Sequence, residues 1–453
     1  MEKQQNKFGN WLKTSLTARM FMIGILIIVL LIPLSFIVNL INERAIRQES
    51  VVNEINEKWG NEVLLYGPIL KIPYKTYSEK IITATNSEEN RTEKIESINY
   101  AYFFPEKLNM KANINPEEKK RGIYKTSVYK SEINIDGNFE KPDFSSIDID
   151  DNDILWEKAI VIIKTSNLKG INNQVEINFD HNSSPFFPKY EEVYNKLKDD
   201  IALNNLETNH LTKEAFEKLT TNPFSIKLNI SGSKQISIIP IGKETDLNIK
   251  SNWKTANFIG NFLPLNTDKI SENGFNAKWK VLHINRPFQQ EYYTALPNLN
   301  EFAFGVNFMI PVDEYQKSER SAKYGFLVIS LTFLIFFLIQ SISKINIHPF
   351  QYLMIGLALT MFYTLLISIS EHSNFLKAYL IAGSSVIVLI TLYSKSILKS
   401  FKFPIFIGLS LLALYTFIYV IIQLENYALL VGSLGLFIIL SIIMYASRKI
   451  DWN

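Results

Sequence analysis

"MFMIGILIIVLLIPLSFIVNLI", Met20–Ile41, contains no Asp, Glu, Lys, Arg or His. A bilayer's hydrocarbon core is about 30 Å thick and takes about twenty apolar residues to cross as a helix. The run therefore reads as a membrane span. Five more charge-free apolar runs crowd the C-terminal part of the chain: Tyr324–Ser343, Pro349–Ser370, Ala378–Ser394, Phe403–Ile422 and Tyr427–Ala446. Between the two groups lies a long, mostly polar stretch. The expected architecture is an integral membrane α-helical bundle of six transmembrane helices plus a large β-rich, antiparallel extracytoplasmic domain with a helical excursion. In residue numbers this gives a cytoplasmic tail 1–19, an anchor helix 20–41, the β-rich domain with helical stalks 42–323, a five-helix bundle 324–446 and a cytoplasmic tail 447–453.

Bulk composition conceals this layout, because the polar middle dilutes the apolar ends to 47% hydrophobic residues overall. The net charge is only +3, with lysines interspersed among nearly as many carboxylates. Such a balance creates no field that attracts nucleic acid. Cysteine is absent, and a domain of this size folds on its own core without disulfides.

Lys3, Lys7, Lys13 and Arg19 resemble the basic region of a signal peptide. The apolar run is too long for one, however, and no small-x-small site follows Phe36–Leu40, so an uncleaved anchor is expected. Short loops rich in Lys and Arg stay in the cytoplasm. The N-terminal tail, the loop with Lys395, Lys399 and Lys402, and the tail with Arg448 and Lys449 are basic, whereas the alternate loops carry Glu371 with His372, and Glu425. Both termini are expected in the cytoplasm and the large domain outside it.

Beyond the first span, Ile41, Ala45, Val52, Ile55 and Trp59 recur at steps of four and three, with Gln48 in the one polar slot. That seam predicts a helical stalk continuing the anchor. "YGPILKIPY" (Tyr66–Tyr74) breaks helix at Gly67, Pro68 and Pro73 and suits an edge or turn-bounded strand. Strand alternation recurs at Ile98–Phe103, Gly122–Tyr129, Ile160–Lys164, Ile226–Ile230, Ile236–Ile239 and Phe302–Ile310. An antiparallel sandwich is the natural reading. Tyr190, Val193, Leu197 and Ile201 share one helical face, and Thr212 suits the cap of a second helix containing Phe216 and Leu219. Val312–Lys323 is polar and helix-compatible and runs unbroken into the second span, which predicts two stalks side by side.

No nucleophile elbow, HExxH pair or phosphate loop is present. His181, His210, His283, His348 and His372 lack metal-ligand spacing. The acidic run Asp148, Asp150, Asp151, Asn152 and Asp153 begins like a calcium loop. It fails at Asp153, where the loop needs glycine, and at Ala159, where it needs glutamate. Glu371, His372 and Glu425 fall on outward hairpins at the membrane mouth. There they could dock the domain, bind a headgroup or move a proton; the plainer reading is ordinary interfacial loop residues. The segment holding Trp253, Phe258, Phe262 and Pro264 is the candidate contact surface. No cofactor is expected. The expected partners are the lipid bilayer and other envelope proteins, lipid or cell wall.

A transporter usually shows paired helix breaks and buried ionisable residues near the midplane. An intramembrane hydrolase needs a nucleophile and base within the bilayer. The six runs show neither, while Gly432, Gly435, Ala382, Gly383, Ser384 and Ser385 suit close helix packing. A structural platform is expected, with an exporter subunit handling an amphiphile and an enzyme acting on lipid or cell wall as the rival readings.

Several long strings carry a resemblance: "HPFQYLMIGLALTMFYTLLISISEHSNFLKAY" (His348–Tyr379), "QLENYALLVGSLGLFIILSIIMYASRKIDW" (Gln423–Trp452), "YGPILKIPY", "SNWKTANFIGNFLP" (Ser251–Pro264) and "PVDEYQKSERSAKYGFL" (Pro311–Leu327). In this order they resemble the CreD family of bacterial inner-membrane proteins, collinear over nearly the whole chain. The resemblance implies one anchor, a periplasmic domain and a helical bundle. It also implies a role in cell envelope integrity linked to the Cre two-component regulon and to colicin tolerance. One departure is "SNLKGI" (Ser166–Ile171), where Asn167 and Lys169 stand at positions at which the family tends towards Asp and Arg.

Overall fold

The first span does not stop at the membrane's thickness. In the computed structural model, which describes residues 16–82, 91–147, 149–190, 201–308, 314–343, 345–398, 401–424 and 427–448, helix α1 runs Leu16–Trp59. At 1.5 Å per residue such a helix is about 65 Å long, twice what a bilayer core requires. Along the expected seam Ile41 is buried and Ala45, Gln48, Val52, Ile55 and Trp59 are half-buried. Gly60, at φ +90°, and Asn61, at φ 62°, then end the helix. The chain separates into two compact units, one of Met1–Ser50 with Val312–Asn453 and one of Val51–Pro311.

The second unit is almost all strand. It opens with β1 Val63–Ile82, β2 Arg91–Phe103, β3 Lys107–Arg121 and β4 Tyr124–Asn138. Four shorter strands follow: β5 Ile160–Thr165, β6 Glu176–Phe179, β7 Asn182–Lys189 and β8 Asn204–Thr208. Helix α2, Lys213–Thr221, interrupts them. The remainder are β9 Phe224–Ser233, β10 Gln235–Ile238, β11 Glu244–Ser251, β12 Asn257–Gly260, β13 Ile270–Ser271, β14 Gly274–Leu282, β15 Glu291–Tyr293 and β16 Phe304–Asn307.

One half is ordered β12-β16-β10-β1-β5-β8-β7 and the other β7-β6-β9-β4-β3-β11-β14-β13, with β2 on β1 and β15 on the far side of β2. Strand β7 turns the corner, pairing Asn182–Pro185 with β6 and Phe186–Lys189 with β8. Pairing is antiparallel except for β1 with β10 and β3 with β11, which are parallel, so the sheet is mixed where a purely antiparallel one was expected. Alternation drives burial: Leu108, Met110, Ala112 and Ile114 of β3 point inward while their neighbours face solvent. A single apolar core draws on both halves.

"YGPILKIPY" is not an edge. It lies in β1, pairing with β5 on one side and β2 on the other, and every residue of it is buried. Both prolines are accommodated locally. The register against β5 shifts between Tyr66 and Ile69, a bulge that takes up Gly67 and Pro68. Pro73 comes just after β5 has left, its last pair being Lys71 with Ile160, so the missing N–H forfeits no bond to that strand.

The helical excursion is half visible. Thr212 caps α2 by accepting from the Ala215 N–H at 3.2 Å, and Phe216 and Leu219 are buried; residues 191–200, which carry most of the first expected helix, lie outside the described residues. The acidic turn serves structure. Asp150 accepts from the N–H and side-chain amide of Asn152, and Asp153 accepts from the Tyr77 hydroxyl at 2.9 Å; Asp148 lies outside the described residues.

The other unit holds helices α3 Glu314–Lys323, α4 Gly325–Ser343, α5 Pro349–Ser370, α6 Phe375–Leu398, α7 Lys402–Gln423 and α8 Ala428–Ser447. Among the described residues, α1 and the helices from α4 to α8 make six that are long and apolar enough to cross a membrane. His348 caps α5, its Nδ1 accepting from the Phe350 N–H, with Pro349 in the first turn where no helical donor is lost. Small residues admit neighbours: Gly356 receives Leu30, Gly325 receives Leu34 and Gly435 receives the Phe417 ring. Ala382 and Gly383 are buried as packing residues, whereas Ser384 and Ser385 are exposed and bond to Ile381 of their own helix.

Candidate functional site

Helix α3 is the anomaly of the membrane unit. Its sequence, "EYQKSERSAK", is polar, yet Tyr315, Ser318, Ser321 and Ala322 recur at helical spacing and are buried. It packs against α4, α5, α6 and α7, so it sits within the bundle, where one of two stalks leaving the bilayer side by side was expected. The Arg320 guanidinium donates to the carbonyls of Ile421 at 3.3 Å and Leu424 at 3.0 Å. Those are the end carbonyls of α7, where the helix dipole is negative and a cation is favourable.

Glu371 is the C-cap of α5. A carboxylate there faces the negative end of the dipole and unsatisfied carbonyls, so helix stability disfavours it. Two partners hold it in place. Arg44 of α1 lies 3.6 Å away through Nε, and the Tyr315 hydroxyl of α3 donates to the same Oε1 at 3.4 Å. The carboxylate is 16% exposed and the arginine 46%. An ion pair so open to solvent contributes about 0–1 kcal/mol, which is too little to account for the placement of a misdirected acid. The arrangement gathers α1, α3 and α5 around one anionic group at the hairpin end of the bundle.

His372 is exposed, and its backbone N–H donates to the Ile369 carbonyl. Glu425 lies outside the described residues. Arg44, Tyr315 and Arg320 were not anticipated. Arg44 and Arg47 did carry a signal, because two arginines just beyond the end of the span opposite the basic N-terminal tail run against the usual one-sided charge bias.

The contact segment is turned inward. Trp253, Phe258 and Phe262 are half-buried against the core and Pro264 is buried. Phe258 meets Phe275 and Trp279 edge-on, and the Trp279 indole donates to the Phe262 carbonyl at 3.0 Å. The large apolar side chains left exposed there are Leu263 and, just beyond the segment, Leu265.

A buried group in the soluble unit also went unread. The Arg286 guanidinium donates to the carbonyls of Phe288 and Ile241 at 2.9 and 3.2 Å and to Gln290, and it stacks over the Phe288 ring. Burial lowers its pKa to about 10. No described carboxylate pairs with it, so it acts as a staple between loops.

Six membrane-length helices with a sheet-rich unit inserted after the first define a multi-pass membrane protein. A sequence model of "Inner membrane protein CreD" matches residues 15–453, and the chain belongs to the CreD family. "Inner membrane protein CreD" of Escherichia coli (strain K12) is 29% identical to it over 437 residues, covering 94% of this chain and 91% of the relative.

Proposed function

We propose that the chain supports cell-envelope integrity as a non-catalytic platform: the bundle anchors it in the inner membrane, both termini lie in the cytoplasm, and the β-rich domain stands in the periplasm. The observation that carries this reading is the placement of Glu371. An acid at the unfavourable end of its helix, tied to Arg44 and Tyr315, suits a docking or headgroup contact at the outer face better than it suits local stability. The charge bias of the loops supports the orientation. The partners are the bilayer and envelope components in contact with the domain.

Replacing Glu371, His372 and Glu425 with alanine together tests the role. Membrane insertion is expected to remain normal while envelope function fails, read as increased sensitivity to detergents. Wild-type resistance in the triple variant overturns the assignment of these residues.

A further inference from the structure

The ladder of β1 and β2 leaves one long edge uncovered. Its register runs unbroken from Leu70 opposite Phe103 to Ile82 opposite Arg91, but β15 pairs with β2 only at Ala101–Phe103. The Thr294 N–H then donates to the Tyr100 carbonyl at 2.8 Å. Among the described residues, nothing pairs with the backbone of β2 on that side from Thr92 to Ile98. The other side of the ladder is covered near Tyr74. There the Leu155 N–H donates to the Pro73 carbonyl at 3.0 Å, Tyr74 bridges Ile154, and the Tyr77 hydroxyl donates to Asp153 at 2.9 Å.

Backbone groups along a strand point alternately to its two sides. The Tyr100 carbonyl points away from β1, so the N–H and C=O groups of Ile98, Glu96, Lys94 and Thr92 do the same. The Ser97 carbonyl turns the other way and accepts from the Thr76 hydroxyl of β1 at 3.3 Å. Protected edges are commonly short, bulged or interrupted by proline. This one is 13 residues long, has an unbroken register and contains no proline, and it exposes Ile95, Ile98 and Tyr100. We propose that two copies of this chain join through this edge, antiparallel about a two-fold axis at Ile95. In that register Lys94 lies opposite Glu96 of the second copy and Glu96 opposite its Lys94, each pair exchanging both backbone bonds. The backbones of Thr92 and Ile98 pair likewise, and the two Ile95 side chains meet at the axis. Moving the axis by one residue sets lysine against lysine or glutamate against glutamate, which destabilises a sheet. The order of charges is thus self-complementary, and it selects a second copy over an unrelated strand. Glu96 holds Lys75 at 3.0 Å through Oε1, and Lys94 lies 3.9 Å from the centre of the Tyr77 ring; both side chains stay exposed and open to the second copy.

This inference goes beyond the platform reading and is tested without it, on the full-length protein in detergent. At the axis the two Cα atoms of residue 95 lie about 4.5 Å apart, within disulfide reach, whereas those of residue 97 lie about 13 Å apart, beyond it. The chain has no cysteine of its own. Purified from cells producing two differently tagged copies, Ile95→Cys is expected on mild oxidation to give a disulfide-linked dimer carrying both tags, at least about tenfold more of it than Ser97→Cys gives. In the cysteine-free protein, Lys94→Glu sets carboxylate against carboxylate at two places. It is expected to weaken dimerisation by about tenfold or more, read as mass by light scattering over a dilution series, with folding checked by heat denaturation. A wild type that is monomeric at about 10 μM, equal cross-linking at positions 95 and 97, a linked species in which the two tags never occur together, or undiminished dimerisation of Lys94→Glu overturns the assignment.

Discussion

Single side chains do several kinds of work in this protein. Asn167 is the clearest case. It is buried, its amide donates to the Ser231 carbonyl at 2.7 Å and to the Trp59 carbonyl at 3.4 Å, and its oxygen accepts from the Gly170 N–H at 2.9 Å. It therefore ties the end of α1 to β9 and to the turn after β5. An aspartate here keeps the acceptor and loses both donations, setting a carboxylate against two carbonyls. Asn167→Asp is expected to destabilise the domain by about 1–3 kcal/mol, measurable as a lower midpoint in denaturant with an unchanged slope. Full stability in that variant would show that Asn167 contributes no net bond.

Among elements, β1 organises the soluble unit, because it pairs with β10, β5 and β2 in turn. Its bulge depends on Gly67, at φ +149°, where a Cβ would meet the Ile163 backbone at 2.9 Å. Gly67→Ala is expected to cost at least about 1–3 kcal/mol and to lower the melting temperature. An unchanged melt would mean that the strand rearranges at no cost. The element level also shows what the sequence could disclose. Spans were legible because charge-free runs have one physical meaning, and α2 because Thr212, Phe216 and Leu219 mark a cap and a buried face. The interior position of β1 was hidden. Pro68 and Pro73 signal an edge, and only the bulge and the departure of β5, both long-range features, cancel that signal. Helix α3 was hidden for the converse reason. Its buried face is built of Tyr315, Ser318, Ser321 and Ala322, small or polar residues that carry no apolar periodicity. The free edge of β2 was invisible in the sequence, since β15 and the turn at Asp153, both distant along the chain, decide which sides of the ladder are covered. Glu371 was readable from its place on a hairpin, but its partners Arg44 and Tyr315 come from far-off segments.

For the molecule as a whole, the proposal that the β-rich unit faces away from the cytoplasm governs the envelope role assigned to the chain. The natural absence of cysteine makes this directly measurable, because a single introduced thiol is the one target for a membrane-impermeant maleimide. Glu272, exposed in the turn between β13 and β14, and Ser396, exposed near the end of α6, are suitable positions. In cells whose outer membrane alone has been made permeable, Glu272→Cys is expected to label fully, and Ser396→Cys to label only after the inner membrane is lysed. Labelling of Ser396→Cys in unlysed cells, with Glu272→Cys protected until lysis, would place the domain in the cytoplasm and contradict the proposed function.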